Sequence, residues 1–239
     1  MIENVFFDMD GTLIDCEAER FIPAYADAIR RKFAGYDKAE DIVKTVLRSP
    51  VCMISNDGSR TNREAFLEYA ENMKERTGMS ARELEARMME LYDHEYLALA
   101  PVVTKKPLMI KAVGVLKSKG YRLVVTTNPL FPLCALLRRL EWGGLDASDF
   151  EFVTSYETSG YAKPGTGYYV QTLERLHMDP ARTLIVGNDM KEDVASGRRA
   201  GMETYFLTDF PIMSDDEVRP DHEGDSAAFL AFCESLPAL

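Results

Sequence analysis

Cysteine and histidine are both scarce in this chain. Its 4 cysteines, Cys16, Cys52, Cys134 and Cys233, are scattered without metal-ligand spacing, so reduced cytosolic thiols are the simplest reading. His94, His177 and His222 are likewise isolated and read as surface or packing residues, not ligands. An excess of positive charge is missing too. The net charge of −11 argues against a nucleic-acid-binding surface, which needs clustered Lys and Arg. It leaves room for an anionic small substrate, because a bound cation and one or two lysines can reverse a local field. No stretch approaches the roughly 20 apolar residues of a membrane span. Glu3, Asp8 and Asp10 interrupt any signal-like run near the N-terminus. Internal repeats and low-complexity tracts are absent. The expectation is a cytoplasmic protein with neither membrane nor nucleic acid among its partners; the sequence does not set its oligomeric state.

What is present is ordinary globular material. With 46% hydrophobic and 28% charged residues over 239 positions, it suits one large domain or a core with an insertion. Two regimes follow one another. From about residue 16 to residue 100, apolar residues recur at helical spacing: Phe21, Tyr25, Ala28, Ile29 and Phe33, then Ile42, Val43, Val46 and Leu47. Thr61-Asn62-Arg63-Glu64 and Ser80-Ala81-Arg82-Glu83 read as capping boxes that open further helices. This predicts a helical insertion of about four helices. From Pro107 onward helix and strand alternate, with strands expected over 121–127, 150–154, 183–186 and 203–207. Helices are expected over 133–140, 167–177, 192–200 and 227–236, and 214–225 reads as a solvated acidic loop. Such alternation implies an α/β fold, a doubly wound, Rossmann-like parallel sheet with helices on both faces. The expected division is a core of residues 1–15 and 100–239, with a helical insertion of residues 16–99 after the first strand.

Ligands of doubly wound sheets bind beyond the carboxyl ends of the strands, and the unusual polar clusters fall there. The apolar strand Val5-Phe6-Phe7 breaks into Asp8-Met9-Asp10-Gly11-Thr12. Asp8 and Asp10 are two residues apart, so at a strand end they can project the same way. They repel unless protonated, solvated or bridged by a cation; the bridged case is a Mg²⁺ site with a nucleophile and an acid/base already in it. Thr127-Asn128 follows the next strand, Lys163-Pro164 lies in the loop after 150–154, and Asn188-Asp189 to Asp193 follows Leu184-Ile185-Val186-Gly187. The Thr127 hydroxyl and the Asn128 amide can donate to phosphoryl oxygens. The plainer alternative is a strand-to-helix cap. Pro164 fixes the backbone beside Lys163 and biases it toward extended geometry. For the aspartates, the plain alternative is an acidic helix N-terminus.

Taken in order, Asp8-Met9-Asp10-Gly11-Thr12, Thr127-Asn128, Lys163-Pro164 and Gly187-Asn188-Asp189 with Asp193 resemble the four signatures of the haloacid dehalogenase superfamily. The helical insertion sits where that family carries its cap. The resemblance implies that Asp8 attacks phosphorus to form an aspartyl-phosphate, and that Asp10 protonates the leaving oxygen and later deprotonates water. It implies phosphate binding by Thr127, Asn128 and Lys163, and Mg²⁺ held by the Asp8 carboxylate, the Asp10 main-chain carbonyl and Asp189. Asp193 is then a water-mediated ligand or an orienting partner of Lys163. The family commonly places an Asp where this chain has Asn188, so Asn188 or Asp189 is left open, with Asp189 preferred. As the family is known, its dehalogenase branch lacks an aspartate at the position of Asp10, which disfavours dehalogenation. The expected activity is Mg²⁺-dependent hydrolysis of a small phosphorylated metabolite. A sugar phosphomutase and a catalytically silent binding module are the alternatives. Arg60 and Arg63 read as solvated helix-entry charges, outside the site.

Overall fold

The computed structural model describes residues 1–215 and 217–239. The chain opens with strand β1 (Asn4–Phe7) and a short strand β2 (Ile14–Asp15). A helical segment follows: α1 (Ala18–Lys32), α2 (Ala39–Arg48), α3 (Pro50–Ile54), α4 (Asn62–Asn72), α5 (Lys74–Thr77) and α6 (Ala81–Asp93), then a 3-10 stretch over Glu95–Val102. The expected stripes are the buried faces of these helices, Phe21, Tyr25, Ala28 and Ile29 on α1 and Ile42, Val43 and Val46 on α2. At the start of α4 the Thr61 side chain accepts from the Glu64 amide while Glu64 reaches back to the Thr61 amide, a complete capping box. Ser80 accepts from the Glu83 amide at the start of α6. The expected four helices become six because α3 and α5, of 5 and 4 residues, are too short to leave a periodic signal.

Strand β3 (Thr104–Lys105) returns antiparallel to β2, with Asp15 opposite Thr104, so the chain leaves and re-enters the sheet region side by side. The α/β half runs α7 (Pro107–Ser118), β4 (Arg122–Val125), α8 (Leu133–Trp142), β5 (Phe152–Val153), α9 (Thr166–Leu176) and β6 (Thr183–Gly187). A π-helical turn over Met190–Ala195 leads into α10 (Ser196–Arg199), followed by β7 (Glu203–Leu207), β8 (His222–Gly224) and α11 (Ser226–Ser235). Six strands form one parallel sheet in the order β5-β4-β1-β6-β7-β8. Strand β8 corrects the expectation of a purely solvated loop over 214–225. Three residues, His-Glu-Gly, are too few and too polar for a strand pattern, but Asp221 accepts the Thr204 amide and hydroxyl at 3.0 and 2.9 Å and docks the segment on β7. Asp216, within that predicted loop, lies outside the described residues.

The central strand shows why the sheet is covered on both sides. Val5 and Phe7 join one apolar core with Leu116, Leu136 and Phe229 of α7, α8 and α11. Phe6 points the other way, into a second core with Tyr168, Tyr169 and Leu173 of α9, the period of two that a strand imposes. Each fully buried aromatic contributes roughly 1.5–3 kcal/mol from desolvation, so neither face can be opened cheaply. Among the described residues no helix is long and apolar enough to cross a membrane.

Candidate active site

Parallel register brings the polar loops to one level. Phe7 lies opposite both Val125 and Val186, so the loops after β1, β4 and β6 leave the sheet at about one level. The Asp8 amide still donates to Val186 O at 2.9 Å, and the Thr126 amide to Phe7 O at 2.7 Å. Lys163 arrives from the loop before α9, with its side chain only 1% exposed. Its ammonium donates to Asp8 Oδ1 at 2.8 Å and to Asp193 Oδ1 at 2.6 Å. Tyr169 adds a hydroxyl to Asp193 Oδ1 at 3.1 Å, and Asp193 Oδ2 accepts the Asp189 amide at 3.1 Å. Gly187 makes this approach feasible: a Cβ there would collide with the Asp193 carboxylate.

A buried carboxylate and a largely buried one therefore share one ammonium. Burial pushes the Asp8 carboxyl up to about 8; Lys163 opposes the rise, and the charges of Asp193 and Asp10 add to it. For Lys163, burial favours the neutral amine, but Asp193 and Asp8 outweigh it and hold the ammonium well above its ordinary range. Glu192 is raised as well, mainly by burial and with help from Asp193 and Asp189.

Asp10 has a cation of its own. Arg139, from the buried stripe of α8, pairs through Nη2 with Asp10 Oδ1. Lys106 donates to the neighbouring Gly11 carbonyl at 2.8 Å. Gly11 has φ +80, and a Cβ on it would strike the Asn188 side chain, so glycine is required here on both counts. Asn188 accepts from the Thr12 hydroxyl at 3.2 Å and donates to Phe210 O at 2.7 Å, which ties the fourth loop to the first. Asp189 Oδ1 accepts the amides of Lys191 and Glu192, both at 2.8 Å, and so caps the π-helical turn.

The Thr127 carbonyl is held by Thr154 Oγ1 at 2.9 Å and by the Tyr168 hydroxyl at 2.8 Å. Asn128 Nδ2 lies 3.5 Å from Lys163 O and 3.4 Å from Glu192 Oε2, while Asn128 Oδ1 is buried without a partner. Helix α8 begins only at Leu133, with Pro132 at its N-cap position, so Thr127 and Asn128 do not cap it. Arg60 pairs with Glu68 and Arg63 with Glu85, within the helical segment.

Thus the seven expected residues lie beyond the carboxyl ends of the strands, with Asp193 in direct contact with Lys163. Among the described residues no group of three or more His, Cys, Asp or Glu side chains gathers to hold a metal ion. The oxygens that could serve are the Asp8 carboxylate, the Asp10 main-chain carbonyl and the Asp189 carboxylate. An opening of about 300 Å³ onto Asp10 is lined by Gly11, Asp15, Asn188, Phe210 and Ile212. A cavity of about 230 Å³ between the helical segment and the α/β half, lined by Phe21, Tyr25, Phe66, Met88, Phe131 and Tyr156, touches none of the seven. Sequence reasoning missed Arg139, Tyr169 and Lys106. Arg139 left a usable signal, a cation on the apolar stripe of a helix; the other two left none.

A family model described as haloacid dehalogenase-like hydrolase matches residues 2–201. The phosphoglycolate phosphatase of Aquifex aeolicus (strain VF5) is 29% identical over 213 residues, spanning 84% of this chain and 82% of that protein. The glyceraldehyde 3-phosphate phosphatase of Methanothermobacter thermautotrophicus is 29% identical over 211 residues, spanning 87% and 86%. Among solved structures, a 2-haloacid dehalogenase from Pseudomonas syringae pv. Tomato DC3000 superposes with a TM-score of 0.69 at 24% identity, covering 98% of this chain and 99% of that one. At that identity the likeness speaks for the fold.

Proposed function

Since the chain belongs to the haloacid dehalogenase-like hydrolases, we propose that it is a Mg²⁺-dependent phosphatase that cleaves a small phosphorylated metabolite through an aspartyl-phosphate on Asp8. The observation that carries this reading is the ammonium of Lys163, buried between Asp8 and Asp193 at 2.8 and 2.6 Å. A nucleophilic carboxylate fixed to a cation at the end of a central strand is what in-line attack on phosphorus requires.

The donor set fits the metal. Asp8 and Asp193 share one ammonium with Glu192 nearby, and the Asp8 carboxyl is raised to about 8 by burial and by Asp193 and Asp10. The oxygens available are hard donors, and Mg²⁺ needs few of them because it keeps several waters. Bound through the Asp8 carboxylate, the Asp10 main-chain carbonyl and the Asp189 carboxylate, Mg²⁺ supplies the positive charge that relieves repulsion between an anionic nucleophile and a dianionic ester.

The chain's own groups do the rest. Asp8 attacks phosphorus as the ester P–O bond breaks, and the proton carried by Asp10 passes to the leaving oxygen. Asp10 then takes a proton from water, whose oxygen attacks phosphorus and releases Asp8 and inorganic phosphate. Lys163 orients Asp8 and, with the Thr127 hydroxyl and the Asn128 amide, gathers the charge of the phosphoryl oxygens. The helical segment of residues 16–99 serves as the cap that excludes water from the cleft. The test is hydrolysis of 4-nitrophenyl phosphate with and without Mg²⁺ by the native chain, Asp8→Asn and Asp10→Asn. Metal-dependent turnover abolished by the first change and severely reduced by the second is expected. Undiminished activity of Asp8→Asn would refute the assignment. A panel of phosphorylated sugars and glycolate, scored for free phosphate against isomerised ester, separates a phosphatase from a phosphomutase.

A further inference from the structure

Helix α8 buries Ala135, Leu136, Arg139 and Leu140 along one stripe, so a long cation occupies a place where the helical pattern calls for hydrocarbon. Its side chain is 4% exposed. Burying a guanidinium is unfavourable, and a buried ion pair is often no more stable than well-packed apolar residues of the same volume. Arg139 Nε is buried with no protein partner, so the fold does not fully satisfy the group. What the guanidinium does hold is Asp10 Oδ1 through Nη2. Its Cζ lies over the Phe21 ring, 4.7 Å from the centroid, at the start of α1. Phe21 in turn packs edge-on against Tyr96 at 6.3 Å and Phe131 at 5.8 Å. A guanidinium held over an aromatic ring and bonded at its edge has little rotational freedom, and neither has the carboxylate attached to it.

We propose that Arg139 is a positioning residue for Asp10, seated on the Phe21 ring of α1 so that the carboxylate which protonates the leaving oxygen is held in place by the helical segment. The pair engages Oδ1, which leaves Oδ2 for proton transfer to the leaving oxygen. The inference rests on the phosphatase reading above. It makes Arg139 matter in proportion to how much the leaving group needs a proton. An alkoxide departs only when protonated, whereas 4-nitrophenolate is a weak base and departs without help.

The experiment compares kcat/KM, which reports the step through formation of the phosphorylated Asp8, for 4-nitrophenyl phosphate and for a simple alkyl phosphate such as 2-phosphoglycolate. Native chain, Arg139→Met, Arg139→Lys and Phe21→Leu are measured with Mg²⁺, with Asp8→Asn as the control for the underlying reading. Arg139→Met should lower kcat/KM on the alkyl ester on the order of 10²-fold, the lower end of what general acid catalysis supplies. The aryl-to-alkyl ratio should rise at least about tenfold, within that range. Arg139→Lys should recover part of the ratio, and Phe21→Leu should shift it in the same direction by less. The melting temperature of Arg139→Met should fall little, because the Asp10 side chain is 37% exposed and water takes over the carboxylate when the guanidinium is removed, unlike a pair with both partners out of solvent. Equal losses on both esters, or a large fall in melting temperature, would overturn the inference. Activity surviving in Asp8→Asn would overturn the phosphatase reading instead.

Discussion

Replacing Lys163 by Met tests the electrostatics of the site without changing its volume much. The side chains involved are nearly out of solvent: Lys163 is 1% exposed, Asp193 2% and Asp8 13%. Removing the ammonium leaves two carboxylates facing a methyl group. Breaking a buried pair by deleting one partner costs about 3–5 kcal/mol. For a chain of this size, each kcal/mol moves the melting temperature by about 2–4 °C, so a fall of roughly 6–20 °C is expected. The sign with pH follows from proton binding. Without Lys163 the Asp8 carboxyl, already raised to about 8, rises further, so the folded variant keeps a proton that the native chain releases, and its deficit grows from pH 7 to pH 9. Urea unfolding of metal-free protein at both pH values measures it. Lys163→Met/Asp193→Asn, which removes one of the stranded carboxylates, should recover most of the loss. The reasoning fails if Lys163→Met unfolds at the native midpoint at pH 9, or if the second substitution recovers nothing.

Three further outcomes are expected. Because the Asp8 carboxyl is raised from 3.8 to about 8 in the folded chain, the metal-free protein should lose stability as pH rises through that window, by at most ~1.4 kcal/mol per pH unit. Asp8→Asn should flatten the slope, and Mg²⁺ should restore stability at pH 8 in the native chain but not in the variant; calorimetry with and without Mg²⁺ decides this. Gly187→Ala puts a methyl into the Asp193 carboxylate and should cut kcat on the order of 10²-fold, since misplacement of about 1 Å costs that much; native kcat in a folded variant would refute it. Asn62 is fully buried and donates to Pro129 O and Tyr161 O, both at 3.1 Å, bonding the helical segment to the loops beside Asn128 and Lys163. Asn62→Ala strands both carbonyls, so a loss of about 1–3 kcal/mol is expected in urea unfolding, with KM rising more than kcat falls.

The parallel sheet was legible because its strands carry the pattern themselves. Val5 to Phe7 and Leu184 to Val186 are apolar runs buried on both faces, which a sequence displays openly. Strand β8 was not legible, since His222-Glu223-Gly224 pairs through backbone groups that any residue has. In the site, Asp8 stood out as a carboxylate just past an apolar strand, whereas Lys163 and Asp193 stood out only through their resemblance to family signatures; the three are in contact through the Lys163 ammonium. Asn188 was read as an open question about a metal ligand. Its side chain joins Thr12 to Phe210 O, a role set by the fold of two distant loops and invisible in spacing. Arg139 stood in plain view on the α8 stripe, but its meaning depends on Asp10 lying 129 residues away in sequence.

In the proposed mechanism Asp8 and Asp10, the same residue type two positions apart, take different roles, and their environments differ accordingly. Asp8 keeps its amide in the ladder with Val186 O at 2.9 Å, and its carboxylate is fixed by Lys163. That rigidity suits an atom which must attack along one line. Asp10 sits beyond the ladder, beside the turn at Gly11, with a side chain 37% exposed and an opening of about 300 Å³ beside it. A group that gives a proton to one oxygen and takes one from water needs that access. Exchanging the roles would ask the buried carboxylate to trade protons with solvent and the exposed one to hold an attack angle. The division thus follows from burial and from which cation each carboxylate meets, Lys163 for the one and Arg139 for the other.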